Sequence, residues 1–120
     1  MSDGCVQSLQ TVRITAPDYV RFGDPLWLNC SCDLQLQQIY SIKWFKDNQE
    51  FYRFIVSEAN PKTWYNTSGV YPDPVKSNKG DIYMTSTDFQ TQGSYRCEIS
   101  EETGFQTLHE VKDIRVYCKQ

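Results

Sequence analysis

The chain has 120 residues, a formal net charge of −3 and a sequence pI near 5.0. This length fits a single domain over residues 1–120, with an expected core over residues 8–118. The negative net charge argues against nucleic-acid binding and against a basic patch that binds membranes. Aromatic residues make up 14% of the chain. Because aromatic side chains favour strands and interfaces, the composition indicates a β protein with a binding surface.

The predicted elements are short strands separated by turn residues. A helical period is not sustained over any long window. We expect eight strands: A at residues 8–15, an unlabelled strand at 19–22, B at 26–32, C at 39–46, C′ at 50–56, E at 81–87, F at 93–100 and G at 105–117. The stretch 57–78 is rich in proline and predicts a loop that holds one or two short edge strands, where proline is tolerated.

Four residues on strands B, C and F indicate the fold class. Cys30 lies on strand B, Trp44 on strand C, and Tyr95 precedes Cys97 by two residues on strand F. This pattern is typical of an all-β, immunoglobulin-like two-sheet sandwich of the variable type, in which a disulfide between strands B and F crosses the core beside the tryptophan. We therefore expect a Cys30–Cys97 bridge, which should stabilise the fold by about 4 kcal/mol in the chain-entropy model. Thr91 stands where such domains often carry the acid of a salt bridge, so that bridge is not expected here.

The other three cysteines leave alternatives open. Cysteine usage and the sequons at Asn29 and Asn66 indicate an oxidising, extracellular environment, with Asn66 as the expected glycosylation site. Strand A is expected to run antiparallel to strand B, which would bring Cys5 within reach of Cys32; Cys5 then either pairs with Cys32 or leaves it as a buried thiol. Cys118 follows strand G at the opposite end of the sandwich and is expected to be free or to pair outside this domain.

Neither a metal, a cofactor nor a catalytic site is predicted. Zinc needs clustered cysteine and histidine ligands, and the sequence offers one close pair, Cys30 and Cys32, and one histidine, His109. The sequence shows no set of nucleophile, base and orienting residue, so we expect no enzyme activity and no small-molecule substrate. It also lacks a transmembrane or signal segment, which predicts membrane attachment only through regions outside this chain.

Strands C and C′ carry a more specific pattern. Residues 40–47 read YSIKWFKD and residues 50–54 read EFYRF. Together they resemble the YSVKWYK…EFYR signature of the first immunoglobulin domain of the Beaten path family, which are neural guidance proteins of invertebrates. Asp33-Leu34 after strand B, RCEIS at residues 96–100 and FQT at residues 105–107 extend the likeness over roughly residues 12–116.

This resemblance implies a family member or a diverged relative. It implies a secreted or cell-surface guidance or adhesion protein that binds another immunoglobulin-superfamily receptor, of the Sidestep type. The alternative is a soluble immune-type receptor that binds antigen or glycan through its B–C and F–G loops, for example through Gln37 and Phe105.

The predicted binding face follows from the alternation of side chains along strands. Since Trp44 points into the core, Phe45 points outward, where it forms an aromatic centre with a charged rim, as protein interfaces require. The alternative is that aromatic side chains of strand C′ cover Phe45. The residues expected to contact a partner are Lys43, Phe45, Tyr52, Phe54, Arg96, Glu98 and Phe105.

Overall fold

Nine strands make up the sandwich within the part of the chain that the structure describes. The structure, a computed structural model, describes residues 9–104 and 106–118, so Cys5 and Phe105 lie outside the described residues. The strands are β1 (Val12–Thr15), β2 (Tyr19–Arg21), β3 (Leu26–Cys32), β4 (Ile39–Lys46), β5 (Gln49–Ile55), β6 (Lys62–Trp64), β7 (Ile82–Met84), β8 (Gly93–Glu101) and β9 (Thr107–Tyr117). Short 3₁₀ turns at Leu36–Gln38 and Phe89–Thr91 precede β4 and β8.

The strands form two sheets that face each other across the core. One sheet has three strands in the order β1-β3-β7, and the other has six in the order β2-β9-β8-β4-β5-β6. Neighbouring strands pair antiparallel, except that β2 runs parallel to β9. This arrangement is the variable-type immunoglobulin sandwich, so the predicted fold class is confirmed.

The strand bounds depart from the predicted ones most in the three-stranded sheet. The first strand begins at Val12 rather than at residue 8, and β7 ends at Met84 rather than at residue 87. The hydroxyl of Thr87 donates to the carbonyl oxygens of Arg21, at 3.1 Å, and Asp24, at 2.9 Å. These two hydrogen bonds connect the segment after β7 to the turn that follows β2, and the strand therefore ends before Thr87.

The core surrounds the predicted disulfide. Cys30 and Cys97 are bonded, with their Cα atoms 6.4 Å apart, and Trp44 is fully buried. The hydroxyl of Tyr95 donates to the backbone carbonyl of Thr91, as expected for the tyrosine corner of this fold. The hydroxyl of Thr91 in turn donates to the carbonyl of Gly69 at 2.7 Å. A neutral hydrogen bond therefore ties the chain together where related domains often use a salt bridge.

Candidate functional site

Four neighbouring strands of the six-stranded sheet present one outward surface. In antiparallel ladders, residues directly opposite each other share a face. One row of such residues runs Arg53, Lys43, Glu98, His109, and the next runs Glu50, Phe45, Arg96, Val111. We call this surface the outward face and define it by Lys43, Phe45, Glu50, Arg53, Arg96, Glu98, His109 and Val111.

Arg96 lies over Phe45 at the centre of the outward face. Its guanidinium carbon is 4.2 Å from the centroid of the ring, which is a cation–π contact. One terminal nitrogen donates to Oδ1 of Asn48 at 2.8 Å, while Nε lies 3.5 Å from Oε2 of Glu98. Nε is buried and has no hydrogen-bond partner within residues 9–104 and 106–118. A planar cation therefore covers the aromatic ring, and its Nε makes an ion pair with Glu98 but no hydrogen bond to a described residue.

Tyr52 and Phe54, predicted to contact a partner, belong to the core instead. Tyr52 pairs with Trp44, whereas Glu50 pairs with Phe45, so Phe51 is the extra residue of a β-bulge. A bulge breaks the two-residue alternation, and both Phe51 and Tyr52 are fully buried. Phe54 is buried as well, opposite Ile42 in the ladder. The aromatic side chains of this strand thus pack inward, and Arg96 is the residue that covers Phe45.

Contacts with β6 and the segment before β7 hold Tyr52 in the core. Its ring lies 4.5 Å from that of Trp64, between ring centroids. Its hydroxyl donates to the carbonyl of Lys79 at 2.7 Å, and burial raises the pKa of this phenol. Tyr52 is therefore satisfied without any partner molecule.

Glu50 and Arg53 take the places on the outward face that the sequence had assigned to Tyr52 and Phe54. Arg53 donates from Nε to Oε2 of Glu50 at 2.7 Å and from a terminal nitrogen to Oε1 at 2.9 Å. These hydrogen bonds raise the pKa of Arg53. The guanidinium carbon also lies 5.8 Å from the ring centroid of Tyr65. The outward orientation of these two side chains follows from the pairing of β5 with β4 on either side of the bulge, which the sequence does not reveal.

Among the described residues of the outward face, Lys43 is the cation without an ion-pair partner. It lies between Arg53 and Glu98 in the ladder and is half-buried. No carboxylate among the described residues lies within ion-pair distance of its amine. The two acids of the face are engaged by neighbouring arginines, so Lys43 offers an unused positive charge beside the aromatic centre.

The loops at the end of the sandwich form a second candidate region. Gln37 is exposed in the 3₁₀ turn before β4 and donates to the side chain of Gln35 at 2.8 Å. Beneath this turn lies an open cavity of about 300 Å³, lined in part by Cys32, Leu34 and Leu36. Phe105, the other residue predicted for a loop site, lies outside the described residues.

The remaining predicted positions are placed as follows. Asn66 is exposed. Cys5, the predicted partner of Cys32, lies outside the described residues, and Cys32 carries a free, half-buried thiol whose pKa is raised by burial. Cys118 carries an exposed free thiol. Within the described ranges, three or more metal-ligating side chains do not come together, and no helix there is long and apolar enough to cross a membrane.

Comparison with solved structures gives the same architecture. The crystal structure of murine CEACAM1b is similar, with a TM-score of 0.68 and 19% identity over 90% of this chain. A chain of the complex between the mouse coronavirus receptor-binding domain and its murine receptor is also similar, with a TM-score of 0.67 and 18% identity over 90% of this chain. In each case the chain spans 54% of the solved chain.

Sequence comparisons add no family. No protein-family model matches the chain, and neither does any curated protein. The resemblance to the Beaten path family accordingly stays a prediction. At this level of identity, the structural likeness shows that the chain has an immunoglobulin-like fold of the variable type.

Proposed function

We propose that this chain is an extracellular recognition domain that binds another protein through the outward face. The contact between Arg96 and Phe45 carries this proposal. An aromatic ring and a planar cation thereby lie at the centre of a sheet, and one buried donor of that cation has no hydrogen-bond partner among the described residues. Aromatic and arginine side chains at the centre of a face are the groups that dominate protein interfaces.

The charged side chains of the outward face also support it as the binding surface. Lys43 lies beside this centre and has no ion-pair partner in the part of the chain that the structure describes, while Glu50 and Glu98 pair with arginines. A carboxylate from a partner, placed near Lys43, would complete the charge pattern as the interface loses water. Val111 adds exposed apolar area on the other side of Arg96. The proposed partner is therefore a protein with an acidic side chain next to an apolar patch.

We further propose that this partner is an immunoglobulin-superfamily receptor of the Sidestep type and that the role is neural guidance or adhesion. The segments that resemble the Beaten path family lie on β4, β5 and β8, which are the strands that supply most of the outward face. One of the similar solved structures is a complex of a viral receptor-binding domain with its murine receptor, which is consistent with protein recognition by this fold. The disulfide and the two sequons support an extracellular location, either secreted or on the cell surface.

The experiment is a binding screen of the whole chain against a panel of immunoglobulin-superfamily receptor ectodomains, Sidestep types included. For each receptor that binds, Phe45→Asp, Lys43→Glu and Val111→Asp are compared with the unaltered chain. We expect each substitution to weaken binding at least several-fold, because central interface residues contribute most of the affinity. Thermal unfolding of every variant shows whether the fold is kept.

Val75→Asp is the matched control for Val111→Asp. Both valines are exposed, but Val75 lies in the loop before β7, outside the outward face. If the folded face variants bind as well as the unaltered chain, or if Val75→Asp is equally damaging, the assignment of the face is wrong.

The competing proposal places binding in the loops, as in an immune-type receptor for antigen or glycan. The exposed 3₁₀ turn and the cavity beneath it support this alternative. In that case Gln37→Ala and Phe105→Ala would abolish binding, while Phe45→Asp would leave it unchanged.

A further inference from the structure

The outward side of the three-stranded sheet carries an exposed aromatic pair. Trp27 on β3 lies directly opposite Tyr83 on β7, with the ring centroids 4.8 Å apart. The amine of Lys76 lies over the ring of Tyr83, 4.7 Å from its centroid. Trp27 itself is 44% exposed in the middle of the sheet. A large apolar ring therefore meets solvent at a position where a folded domain usually keeps polar side chains.

A sequon lies on the same side of the same strand. Asn29 follows Trp27 by two residues, so both side chains point away from the core, about 7 Å apart along the strand. Ser31, the hydroxyl residue of the Asn29-Cys30-Ser31 sequon, follows on that face and is exposed. The side-chain amide of Asn29 makes no hydrogen bond to any described residue, so its nitrogen is available for a glycan.

The neighbourhood has room for a sugar. Asn29, which is half-buried, pairs with Thr15, and Ser31 pairs with Arg13 on β1; Ser31, Thr15 and Arg13 are exposed. The aromatic pair is far smaller than the roughly 800 Å² that each partner contributes to a stable protein interface. It is comparable in size to one or two sugar rings, whose apolar faces pack well on aromatic side chains.

We propose that Asn29 is an N-glycosylation site and that the first sugars of its glycan pack over Trp27. The glycan would shield the aromatic ring from water and keep this sheet from associating with other proteins. The inference requires passage through the secretory pathway, as the proposed function does, but it needs no partner and concerns the opposite sheet. The site differs from Asn66, which lies in the loop after β6 rather than on a strand.

The first test is site occupancy in the full chain secreted from animal cells. Enzymatic removal of N-glycans in heavy-oxygen water marks each formerly glycosylated asparagine, and peptide mass mapping then reports Asn29 and Asn66 separately. We expect Asn29 to be glycosylated in the unaltered chain and in Ser31→Thr, which keeps the sequon, and unmodified in Ser31→Ala. An unmodified Asn29 in the secreted, folded chain would overturn the proposal, whatever the chain binds.

The second test asks whether the glycan covers Trp27. Hydroxyl-radical oxidation of Trp27, followed by mass mapping, is expected to be several-fold faster in Ser31→Ala than in Ser31→Thr, with Asn66→Gln as the control that leaves it unchanged. Thermal unfolding gives an independent measure: Ser31→Ala should lower the midpoint by a few degrees relative to Ser31→Thr, and this difference should vanish in a Trp27→Thr background. Equal oxidation rates in the two Ser31 variants would refute the packing.

Discussion

The indole nitrogen of Trp44 donates a hydrogen bond to the backbone carbonyl of Gly80 at 2.9 Å. The same carbonyl accepts the backbone N–H of Cys30 at 3.1 Å. Trp44 belongs to the six-stranded sheet, whereas Gly80 lies two residues before β7 of the three-stranded sheet and Cys30 lies on the central strand of that sheet. One carbonyl oxygen thus ties the two sheets together beside the disulfide, in a region where the backbones lie too close for a side chain.

Gly80→Ala is expected to destabilise the domain through this close approach. A Cβ atom at this position would lie 2.4 Å from the carbonyl oxygen of Cys30, so the backbone must move. Overpacking of this kind costs about 1–3 kcal/mol, measurable as a lower urea midpoint. Gly93→Ala is the comparison, because the three atoms nearest to its Cβ belong to the exposed Asp47 side chain rather than to the backbone, so its cost is expected to be limited to the bonds of that carboxylate. Equal losses in the two variants would contradict this explanation.

Thr91→Val should remove the hydrogen bonds that stand in for the usual salt bridge. The buried hydroxyl donates to the carbonyl of Gly69 at 2.7 Å and accepts the backbone N–H of Asp88 at 3.0 Å. Valine has nearly the same shape but leaves both groups unpaired, so we expect a loss of about 1–3 kcal/mol in the free energy of unfolding. Thr85→Val is the matched control, since its hydroxyl also bonds a carbonyl, that of Tyr71, but in an exposed setting. A loss as large in Thr85→Val as in Thr91→Val would show that burial is not the cause.

Asp47 should make the stability depend on acid pH. Its carboxylate accepts the backbone N–H of Ser94 at 2.9 Å and lies 3.0 Å from the amine of Lys46. The bond from Ser94, and then that from Lys46, hold the pKa of Asp47 below its ordinary value of 3.8. A carboxyl whose folded pKa is depressed stabilises the fold above its unfolded pKa, and this contribution disappears as the pH falls through the folded value.

The matched variant for this prediction is Asp47→Asn. Asparagine tolerates the positive φ of 49° at this hairpin position but does not titrate in this range. Urea unfolding of both proteins between neutral pH and about pH 3 should show a steeper decline for the unaltered chain, with the difference developing below about pH 4. Parallel pH profiles would show that Asp47 is not a source of the acid sensitivity.

Cys32 and Cys118, the free thiols among the described residues, should react at different rates. Cys118 is exposed, whereas Cys32 is half-buried and burial raises the pKa of its thiol, which lowers the fraction of reactive thiolate. Timed alkylation of the folded chain without reductant, followed by peptide mass mapping, is expected to modify Cys118 first. If Cys32 resists alkylation even after unfolding without reductant, it is bridged, and Cys5 becomes its expected partner.

Spacing along the chain was sufficient to predict the sandwich. Cys30, Trp44, Tyr95 and Cys97 meet in the core because each lies on a strand whose alternate residues face inward, and a period of two can be seen directly in a sequence. The same period correctly placed Phe45 outward. These features depend on local geometry repeated along regular strands, which is why the sequence alone revealed them.

The composition of the outward face depended on contacts between distant segments. The bulge at Phe51 shifts the alternation of β5, which sends Tyr52 into the core and brings Glu50 and Arg53 to the surface. The cover that Arg96 provides for Phe45 likewise arises only when β8 pairs with β4 in one particular register. A bulge adds a single residue to one strand, and the amino-acid composition of the strand does not reveal it. The pairing between strands therefore determines which side chains lie on the outward face, and the pattern within a single strand does not.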